Sequence, residues 1–227
     1  HRGPDGEGHW VDGSVGLGHR RLGIIDLSEA GSQPMVSADG RYVLSYNGEV
    51  YNFLDLRAEL QEAGYRFQSQ TDSEVVLYAF AEWGRECVCR FNGMFAFAVW
   101  DCKERTIHFA RDRYGIKPLY YAQWGDTFLF GSEQKAILEH PSARREIDKK
   151  ALLEYFTFQN IFTDRTLLEK VKMFPPATYG RIDLNSQTKI LHLDSYWDYH
   201  FEDPKNPKDR REYKEELDRL LKQAVHR

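Results

Sequence analysis

The chain has 227 residues, of which 41% are hydrophobic and 14% aromatic; this is enough apolar content for a buried core and excludes a disordered chain. Its 31 basic and 35 acidic side chains give a formal net charge of −4, so we expect no binding to nucleic acid or to an anionic membrane. No apolar run approaches the roughly 20 residues that a membrane-spanning helix needs, and we expect no membrane insertion.

The cysteines and histidines give no sign of a disulfide framework or a metal site. Cys87, Cys89 and Cys102 are odd in number, and this usage is typical of the reducing cytoplasm, where we expect the protein. The eight histidines are scattered, with no His-x-x-x-His pair and no Cys-x-x-Cys pair in the chain, so we expect no bound metal.

Two strands are predicted near the start of the chain. Residues 15–26 alternate loosely and then become continuously apolar at Leu22, Ile24 and Ile25, a pattern that predicts a buried strand. Residues 41–46 predict the second strand. The Asn-Gly pair that follows is the strongest short-range signal for a two-residue hairpin turn, although its flanks do not alternate cleanly.

Two helices follow the Asn-Gly pair. The first has Asn52 as its candidate N-cap, and its apolar residues recur at helical spacing: Phe53, Leu56, Leu60 and Ala63. The second begins at a capping box formed by Thr71 and Glu74 and ends at Gly84.

The rest of the first 198 residues is dominated by strands. Residues 93–101 are apolar on both faces and predict a central strand. Three short apolar segments at close intervals predict an antiparallel meander at 106–112, 118–124 and 127–133. Short helices are predicted at 134–139 and 149–157, and a last hairpin at 178–184 and 189–198. Helices grouped between sets of strands indicate a layered α+β fold.

A change in composition after Asp198 predicts the end of this domain. Residues 199–211 are polar with two prolines and predict a linker. Residues 212–227 place apolar side chains on one helical stripe and predict the start of a helix. Because the chain opens at His1 in a charged, glycine-rich stretch, we expect it to be part of a longer protein.

Three polar sites each allow a functional and a structural interpretation. Arg21 either binds a ligand carboxylate through its guanidinium fork or pairs internally with Asp26 or another acid. Asn47 and Gly48 either form a hairpin turn or direct a side-chain amide and a backbone N–H at one oxygen. Asp72 either stabilises a helix N-terminus or receives a ligand ammonium. Taken alone, each site favours the structural interpretation.

Seven phrases occur in an order that resembles the glutamine-dependent asparagine synthetases, a branch of the class II glutamine amidotransferases. They are HRGPDG (1–6), HRRLGIID (19–26), NGEVYN (47–52), TDSEV (71–75), GMFAFAVWD (93–101), RDRYGIKPLYY (111–121) and SEQKAI (132–137). The resemblance covers residues 1 to about 198. It implies the N-terminal nucleophile fold, a layered αββα sandwich of two mostly antiparallel sheets, with its first strand missing from this chain.

The resemblance also implies a role for each polar site in binding glutamine. Arg21, helped by the backbone around Ile24 and Ile25, would hold the α-carboxylate. Asp72 and Glu49 would receive the α-ammonium. Asn47 and Gly48 would form the oxyanion hole, so that NGEV would be a loop that acts on the substrate.

The resemblance places the nucleophile outside this chain. In that family it is a cysteine at the mature N-terminus, roughly thirty residues before HRGPD, whose own α-amino group acts as base. Cys87, Cys89 and Cys102 are expected to be incidental thiols. We therefore expect residues 1–198 to keep the glutamine pocket without glutaminase activity, and to be unstable or to self-associate for want of the first strand.

The implied partners are glutamine and the synthetase domain of the same parent chain, with a homodimer left open. The glutaminase domain would need no cofactor, whereas the synthetase domain would use ATP and Mg²⁺ to activate aspartate. Three alternatives stay open: an amidotransferase with another acceptor such as a sugar or a β-lactam, a module that binds glutamine without hydrolysing it, and a structural scaffold.

Overall fold

The computed structural model describes residues 3–202 and 209–226. The strands are β1 (Gly6–Asp12), β2 (Val15–Arg21), β3 (Met35–Val36), β4 (Tyr42–Val50), β5 (Gly93–Asp101), β6 (Thr106–Arg111), β7 (Tyr120–Trp124), β8 (Thr127–Gly131), β9 (Lys172–Met173), β10 (Thr178–Asp183) and β11 (His192–Ser195). The α-helices are α1 (Phe53–Glu62), α2 (Asp72–Trp83), α3 (Cys87–Arg90), α4 (Gln134–Ile137), α5 (Lys149–Phe158) and α6 (Arg210–His226).

The strands form three antiparallel sheets. Six of them make the largest sheet, in the order β11-β10-β6-β5-β4-β3, and three make a second sheet, in the order β8-β7-β9. β1 and β2 form a separate two-stranded ribbon. The apolar segment 93–101 is β5 at the centre of the large sheet, and the last two strands pair as β10 and β11; both predictions are confirmed.

Three apolar clusters separate the layers of the first unit, which runs from His1 to Trp197. One cluster packs α1, α2 and α3 on one face of the large sheet. A second lies between the large sheet and the three-stranded sheet, where Trp100 and Phe109 are buried. The third lies where Ile137 of α4 packs on the outer face of the three-stranded sheet. The layer order is therefore helix, sheet, sheet, helix, which is the predicted αββα arrangement.

The predicted strand over residues 15–26 is shorter than expected. β2 ends at Arg21, and the apolar side chains that follow are in a loop, with Leu22 62% and Ile24 71% exposed. The loop departs from the ribbon because the Gly23 N–H donates to Asp5 Oδ2 (2.9 Å) and the Arg21 side chain donates to loop carbonyls. Continuous apolarity was the wrong signal for a strand at this position.

The predicted meander is also wrong, because its strands belong to two sheets. β6 pairs within the large sheet, whereas β7 and β8 pair in the second sheet. The crossing is made by a tight loop centred on Asp112, which is fully buried and accepts four backbone N–H groups, those of Phe95, Tyr114, Ile116 and Lys117. The Arg111 guanidinium donates to three carbonyls around the same loop, so the phrase RDRYGIKP encodes a change of sheet.

The two predicted helices after β4 are confirmed as α1 and α2, but both caps differ from the prediction. Thr71 caps α2 by accepting from the Glu74 N–H (3.3 Å), which is half of the predicted capping box. The other half is not formed, because the Glu74 carboxylate accepts from the Gln68 and Ser69 N–H groups and the Thr71 N–H donates to Ser69 Oγ. Asn52 precedes α1 but makes no side-chain cap. Its amide instead bonds the Arg90 carbonyl (3.1 Å) and the Asn92 N–H (2.9 Å), and so joins α1 to the segment before β5.

The second unit runs from Asp198 to Arg227 and contains α6. Six of the thirteen residues of the predicted linker at 199–211, residues 203–208, lie outside the described residues. α6 begins at Arg210, two residues before the predicted start of the helix. Among the described helices, none has the length and apolarity that crossing a membrane would require.

Candidate active site

A cavity of about 1160 Å³ opens between the ribbon, the large sheet and the end of β8. Its walls come from the end of β2 and the loop after it, the middle of β4, the first turn of α2 and residues 128–136. All the predicted site residues line it: Arg21, Ile24, Ile25, Asn47, Gly48, Glu49 and Asp72. Three separate stretches of sequence thus bring the predicted residues to one cavity.

The Asn-Gly pair lies inside β4, so it is neither a hairpin turn nor a loop. Asn47 and Gly48 pair in register with Ala96 and Phe95 of β5. β4 continues past Gly48 to Val50, and α1, α2 and α3 then follow in sequence before β5 begins. An alanine Cβ at position 48 would lie 2.8 Å from the Phe95 Cα and closer still to the Met94 carbonyl oxygen. Glycine is therefore required here by the close approach of β5.

Alternation along β4 determines where the Asn47 side chain lies. Val43 faces the core between the two sheets, whereas Leu44 and Tyr46 face the helices. Asn47 is therefore on the inter-sheet side, where its Nδ2 donates to Ser132 Oγ just after β8 (3.3 Å). Because Nδ2 carries two hydrogens, one donor remains for a ligand.

Backbone N–H groups alternate between the two edges of a strand, and this places the Gly48 N–H on the edge of β4 that faces away from β5. The Tyr46 and Val50 N–H groups leave β4 on the edge away from β5, where they donate to Gln33 Oε1 (2.6 Å) and Asp72 Oδ2 (3.0 Å). The Gly48 N–H lies between them on this edge. β3 pairs with β4 only at residues 43–44, and among the described residues no acceptor reaches the Gly48 N–H.

Asp72 joins the first turn of α2 to β4. The residue is 6% exposed, and its Oδ2 accepts from the Tyr46 hydroxyl (2.6 Å) and the Val50 N–H (3.0 Å). Burial raises the pKa of the Asp72 carboxyl, although these hydrogen bonds oppose that shift. The backbone N–H groups of Ser73 and of Asp72 itself also bond this carboxylate, which lines the cavity and presents its negative charge there.

Arg21 is partly exposed, and its guanidinium is held by the loop after β2. It donates to the Ser28 carbonyl (2.7 Å) and to the Asp26 carbonyl. The internal ion pair with Asp26 is not formed, because the Asp26 carboxylate accepts from the Ser28 N–H (2.8 Å) and the Gln70 N–H (2.9 Å) instead. These hydrogen bonds, of which the one from the Gln70 N–H has the largest effect, lower the pKa of the Asp26 carboxyl to about 2. Three guanidinium hydrogens remain for a ligand.

The remaining predicted residues, Glu49, Ile24 and Ile25, also line the cavity. Glu49 makes no ion pair with a described residue. Ile24 and Ile25, which are 71% and 39% exposed, lie in the loop whose carbonyls hold Arg21.

Sequence reasoning missed three residues of this cavity. Gln33 is 8% exposed and bonds the edge of β4, and Ser132 bonds Asn47. His19 lies two residues before Arg21 on β2, and burial, followed by the charge of Arg21, lowers the pKa of its imidazole to about 4. The roles of Gln33 and Ser132 were hidden because they bond residues distant in sequence, Ser73 and Asn47. The position of His19 on the same strand face as Arg21 was available from the sequence.

The three cysteines lie outside the cavity lining. Cys87 is buried, and burial raises the pKa of its thiol; Cys89 is exposed on the same short helix. In the part of the chain that the structure describes, no three His, Cys, Asp or Glu side chains are grouped as metal ligands would be.

Comparison with known proteins gives the geometry a family. The glutamine amidotransferase domain family matches residues 1–197. The protein "Asparagine synthetase [glutamine-hydrolyzing] 3" of Bacillus subtilis is 43% identical over 190 residues, which are 81% of this chain and 31% of that protein. "Putative asparagine synthetase [glutamine-hydrolyzing] 2" of Methanocaldococcus jannaschii is 37% identical, over 99% of this chain and 46% of its own length. The chain thus spans less than half the length of these relatives.

Two solved structures share the fold at low sequence identity. The allosteric regulatory enzyme of purine biosynthesis superposes with a TM-score of 0.55 and 18% identity, over 80% of this chain and 35% of that one. The glutamine phosphoribosylpyrophosphate amidotransferase of B. subtilis gives a TM-score of 0.53 and 17% identity, with the same coverage. Together with the αββα layers and the family match, these comparisons show that the chain belongs to the glutamine amidotransferase domain family.

Proposed function

We propose that this chain is the glutaminase part of a glutamine-hydrolysing asparagine synthetase and that its cavity binds L-glutamine. The observation that carries the proposal is the free Gly48 N–H on the edge of β4, which follows Asn47 and lies in a cavity also lined by the guanidinium of Arg21 and the buried carboxylate of Asp72. The similarity to synthetases of this name supports the choice of substrate.

The cavity has complementary groups for both ends of an amino acid. The free guanidinium hydrogens of Arg21 suit the α-carboxylate, because a guanidinium can donate two parallel hydrogen bonds to it. The Asp72 and Glu49 carboxylates suit the α-ammonium. Ile24 and Ile25 line the carboxylate end. The side-chain amide of the substrate then extends toward β4.

Asn47 and Gly48 act on the carbonyl oxygen of that side-chain amide. When a thiolate attacks the amide carbon, the oxygen becomes an oxyanion, and the Asn47 Nδ2–H and Gly48 N–H can both donate to it. Loss of one such donor typically costs about 3–4 kcal/mol of transition-state stabilisation. These two residues would thus favour formation of the thioester and release of ammonia.

The thiolate itself is proposed to come from outside these 227 residues, because none of the three cysteines lines the cavity. The family resemblance assigns it to an N-terminal cysteine whose α-amino group acts as base. We propose that ammonia then passes to a further domain of the parent chain, which would use ATP and Mg²⁺ to activate aspartate. A cytoplasmic location fits the three free cysteines.

Isothermal titration calorimetry of this chain with L-glutamine tests the proposal. We expect saturable binding that Arg21→Gln weakens by about tenfold or more, since a charge-assisted bidentate contact is lost. Arg85→Gln is the matched control, because Arg85 is 53% exposed and lies outside the cavity lining. Absence of L-glutamine binding by the folded chain, or equal binding of D-glutamine, would overturn the proposal.

A further inference from the structure

Gln33 holds the edge of β4 through its side chain, at the point where a neighbouring strand would otherwise continue. β3 pairs with β4 only at residues 43–44. Beyond this pairing, the next outward N–H of β4 belongs to Tyr46, and Gln33 Oε1 accepts from it at 2.6 Å. If β3 continued along β4, one of its carbonyls would accept from the Tyr46 N–H and the next would accept from the Gly48 N–H. The Gln33 side chain takes the place of the first carbonyl only, so the Gly48 N–H stays free.

The Gln33 side chain is fixed in this position from two directions. Its Nε2 donates to Ser73 Oγ in the first turn of α2 (3.3 Å), and the residue is 8% exposed. A side chain at Gly8 of β1 would collide with the Gln33 carbonyl, so the ribbon packs directly on its backbone. Gln33 therefore has little freedom to release the Tyr46 N–H.

Hydrogen bonds occupy the outward N–H groups of β4 on both sides of the Gly48 N–H. Gln33 bonds the Tyr46 N–H on one side, and Asp72 bonds the Val50 N–H on the other (3.0 Å). The Tyr46 hydroxyl donates to Asp72 Oδ2 (2.6 Å), and Ser73, which follows Asp72, binds Gln33. The two flanking N–H groups are occupied and the middle one is open to the cavity.

We propose that Gln33 is a positioning residue for glutamine hydrolysis: its hydrogen bond to the Tyr46 N–H orients the Gly48 N–H toward the oxygen of the bound amide. The inference rests on the proposed function, because it supposes that the Gly48 N–H is a donor to glutamine. Gln33 does not touch the reacting atoms in this role; it acts through the β4 backbone.

Amide hydrogen exchange, followed by NMR with and without L-glutamine, tests this on the full chain and two variants. Gln33→Met keeps the length of the side chain and removes the acceptor, whereas Gln33→Glu restores an acceptor. Without glutamine, we expect Gly48 to exchange at least about tenfold faster than Tyr46 and Val50, because only its N–H lacks an acceptor. In Gln33→Met, Tyr46 should exchange about tenfold faster than in the wild type, while Val50 stays protected by Asp72.

The response to glutamine completes the test. In the wild type, glutamine should slow exchange at Gly48 and shift the resonances of both Gly48 and Arg21. In Gln33→Met the Gly48 response should be lost while the Arg21 response remains, and Gln33→Glu should recover it. A purely structural role would not separate the two responses.

Three outcomes would contradict the inference, and one would contradict the proposed function instead. Unchanged protection of Tyr46 in Gln33→Met, an unchanged Gly48 response in that variant, or a wild-type Arg21 response without any at Gly48 would overturn the role of Gln33. If glutamine moves neither Arg21 nor Gly48 in the wild type, the glutamine site is wrong, and Tyr46 exchange in Gln33→Met still decides whether Gln33 holds the edge.

Discussion

The Asp72 carboxylate lies where α2, β4 and the cavity meet. Its Oδ2 bonds the Tyr46 hydroxyl and the Val50 N–H, and so holds α2 to β4, and the residue also lines the cavity. Structural and proposed ligand-binding roles are therefore combined in one residue. The helix-terminus and ammonium interpretations are compatible, because the carboxylate keeps its negative charge while it accepts these hydrogen bonds.

Asp72→Asn should separate these two roles. The amide oxygen can still accept from the Val50 N–H and the Tyr46 hydroxyl, so we expect the free energy of unfolding to change by less than about 1 kcal/mol. The negative charge that faces the ammonium is lost, and glutamine binding should weaken by about tenfold or more. Chemical denaturation and calorimetry on the same samples measure both quantities.

Asp72→Ala is the comparison, since it leaves the buried Val50 N–H without an acceptor and should lose about 2–3 kcal/mol of stability. Equal glutamine affinity in Asp72→Asn and the wild type would remove Asp72 from the ammonium site.

Gly48→Ala should destabilise the fold whatever the ligand. The added Cβ would collide with the Met94 carbonyl and the Phe95 backbone of β5, and separating the strands should cost about 2 kcal/mol or more. Gly16→Ala is the matched control, because a Cβ at this position in β2 meets nothing within 4 Å. Urea denaturation of the two variants should show a clear loss for Gly48→Ala alone. Similar midpoints would mean that β5 does not require glycine at position 48.

At the scale of elements, the sequence predicts best what is encoded locally. The Thr71–Glu74 capping box and the apolar spacing of Phe53 and Leu56 predict α2 and α1, because both patterns are read within a few residues. The Asn47-Gly48 pair wrongly predicts a hairpin turn, because glycine is needed at position 48 to let β5 pack closely, and β5 lies about 45 residues later in sequence. The site residues themselves were named from the family resemblance rather than from periodicity.

The large sheet should lose stability in acid because of His108 on β6. The imidazole Nδ1 bonds the Tyr179 hydroxyl of β10 (2.6 Å), and burial lowers the pKa of His108 to about 4 from the usual 6.5. The unfolded chain therefore binds a proton that the folded chain does not, and stability present above pH 6.5 is lost as the pH falls toward 4. The loss of unfolding free energy caused by protonation of His108 is at most about 3 kcal/mol.

His108→Phe should flatten the dependence of unfolding free energy on pH between about 6.5 and 4, as measured by urea denaturation across that range. His192→Gln, at an exposed position on β11, serves as the control and should leave the slope unchanged. An identical slope in His108→Phe would show that other groups cause the acid sensitivity.

At the scale of the whole molecule, the three apolar clusters account for the predicted layers but not for every apolar residue. α5 buries only Ala151, although it carries several large apolar side chains. α5 and the loop after it carry four side chains that are 60–75% exposed: Leu153, Phe156, Phe158 and Phe162. Of these, Phe158 and Phe162 contact each other, with ring centroids 5.8 Å apart. We call these four side chains the α5 surface. Glu154 holds its loop in place by accepting from the Phe162 N–H (2.6 Å) and the Thr163 hydroxyl (3.1 Å).

The α5 surface should make the chain self-associate. Exposed large apolar side chains associate because burial between copies removes them from water, at about 25 cal/mol per Å². The self-association expected from the sequence would then arise here rather than at the edge of a sheet.

Sedimentation velocity over a range of concentrations should show a rising average mass for the wild type, and Phe156→Glu, at a position 75% exposed, should reduce it. Leu54→Glu places the same charge at an isolated, 65% exposed position on α1 and should change the mass little. A concentration-independent monomer, or an equal effect of both variants, would show that the α5 surface does not drive association.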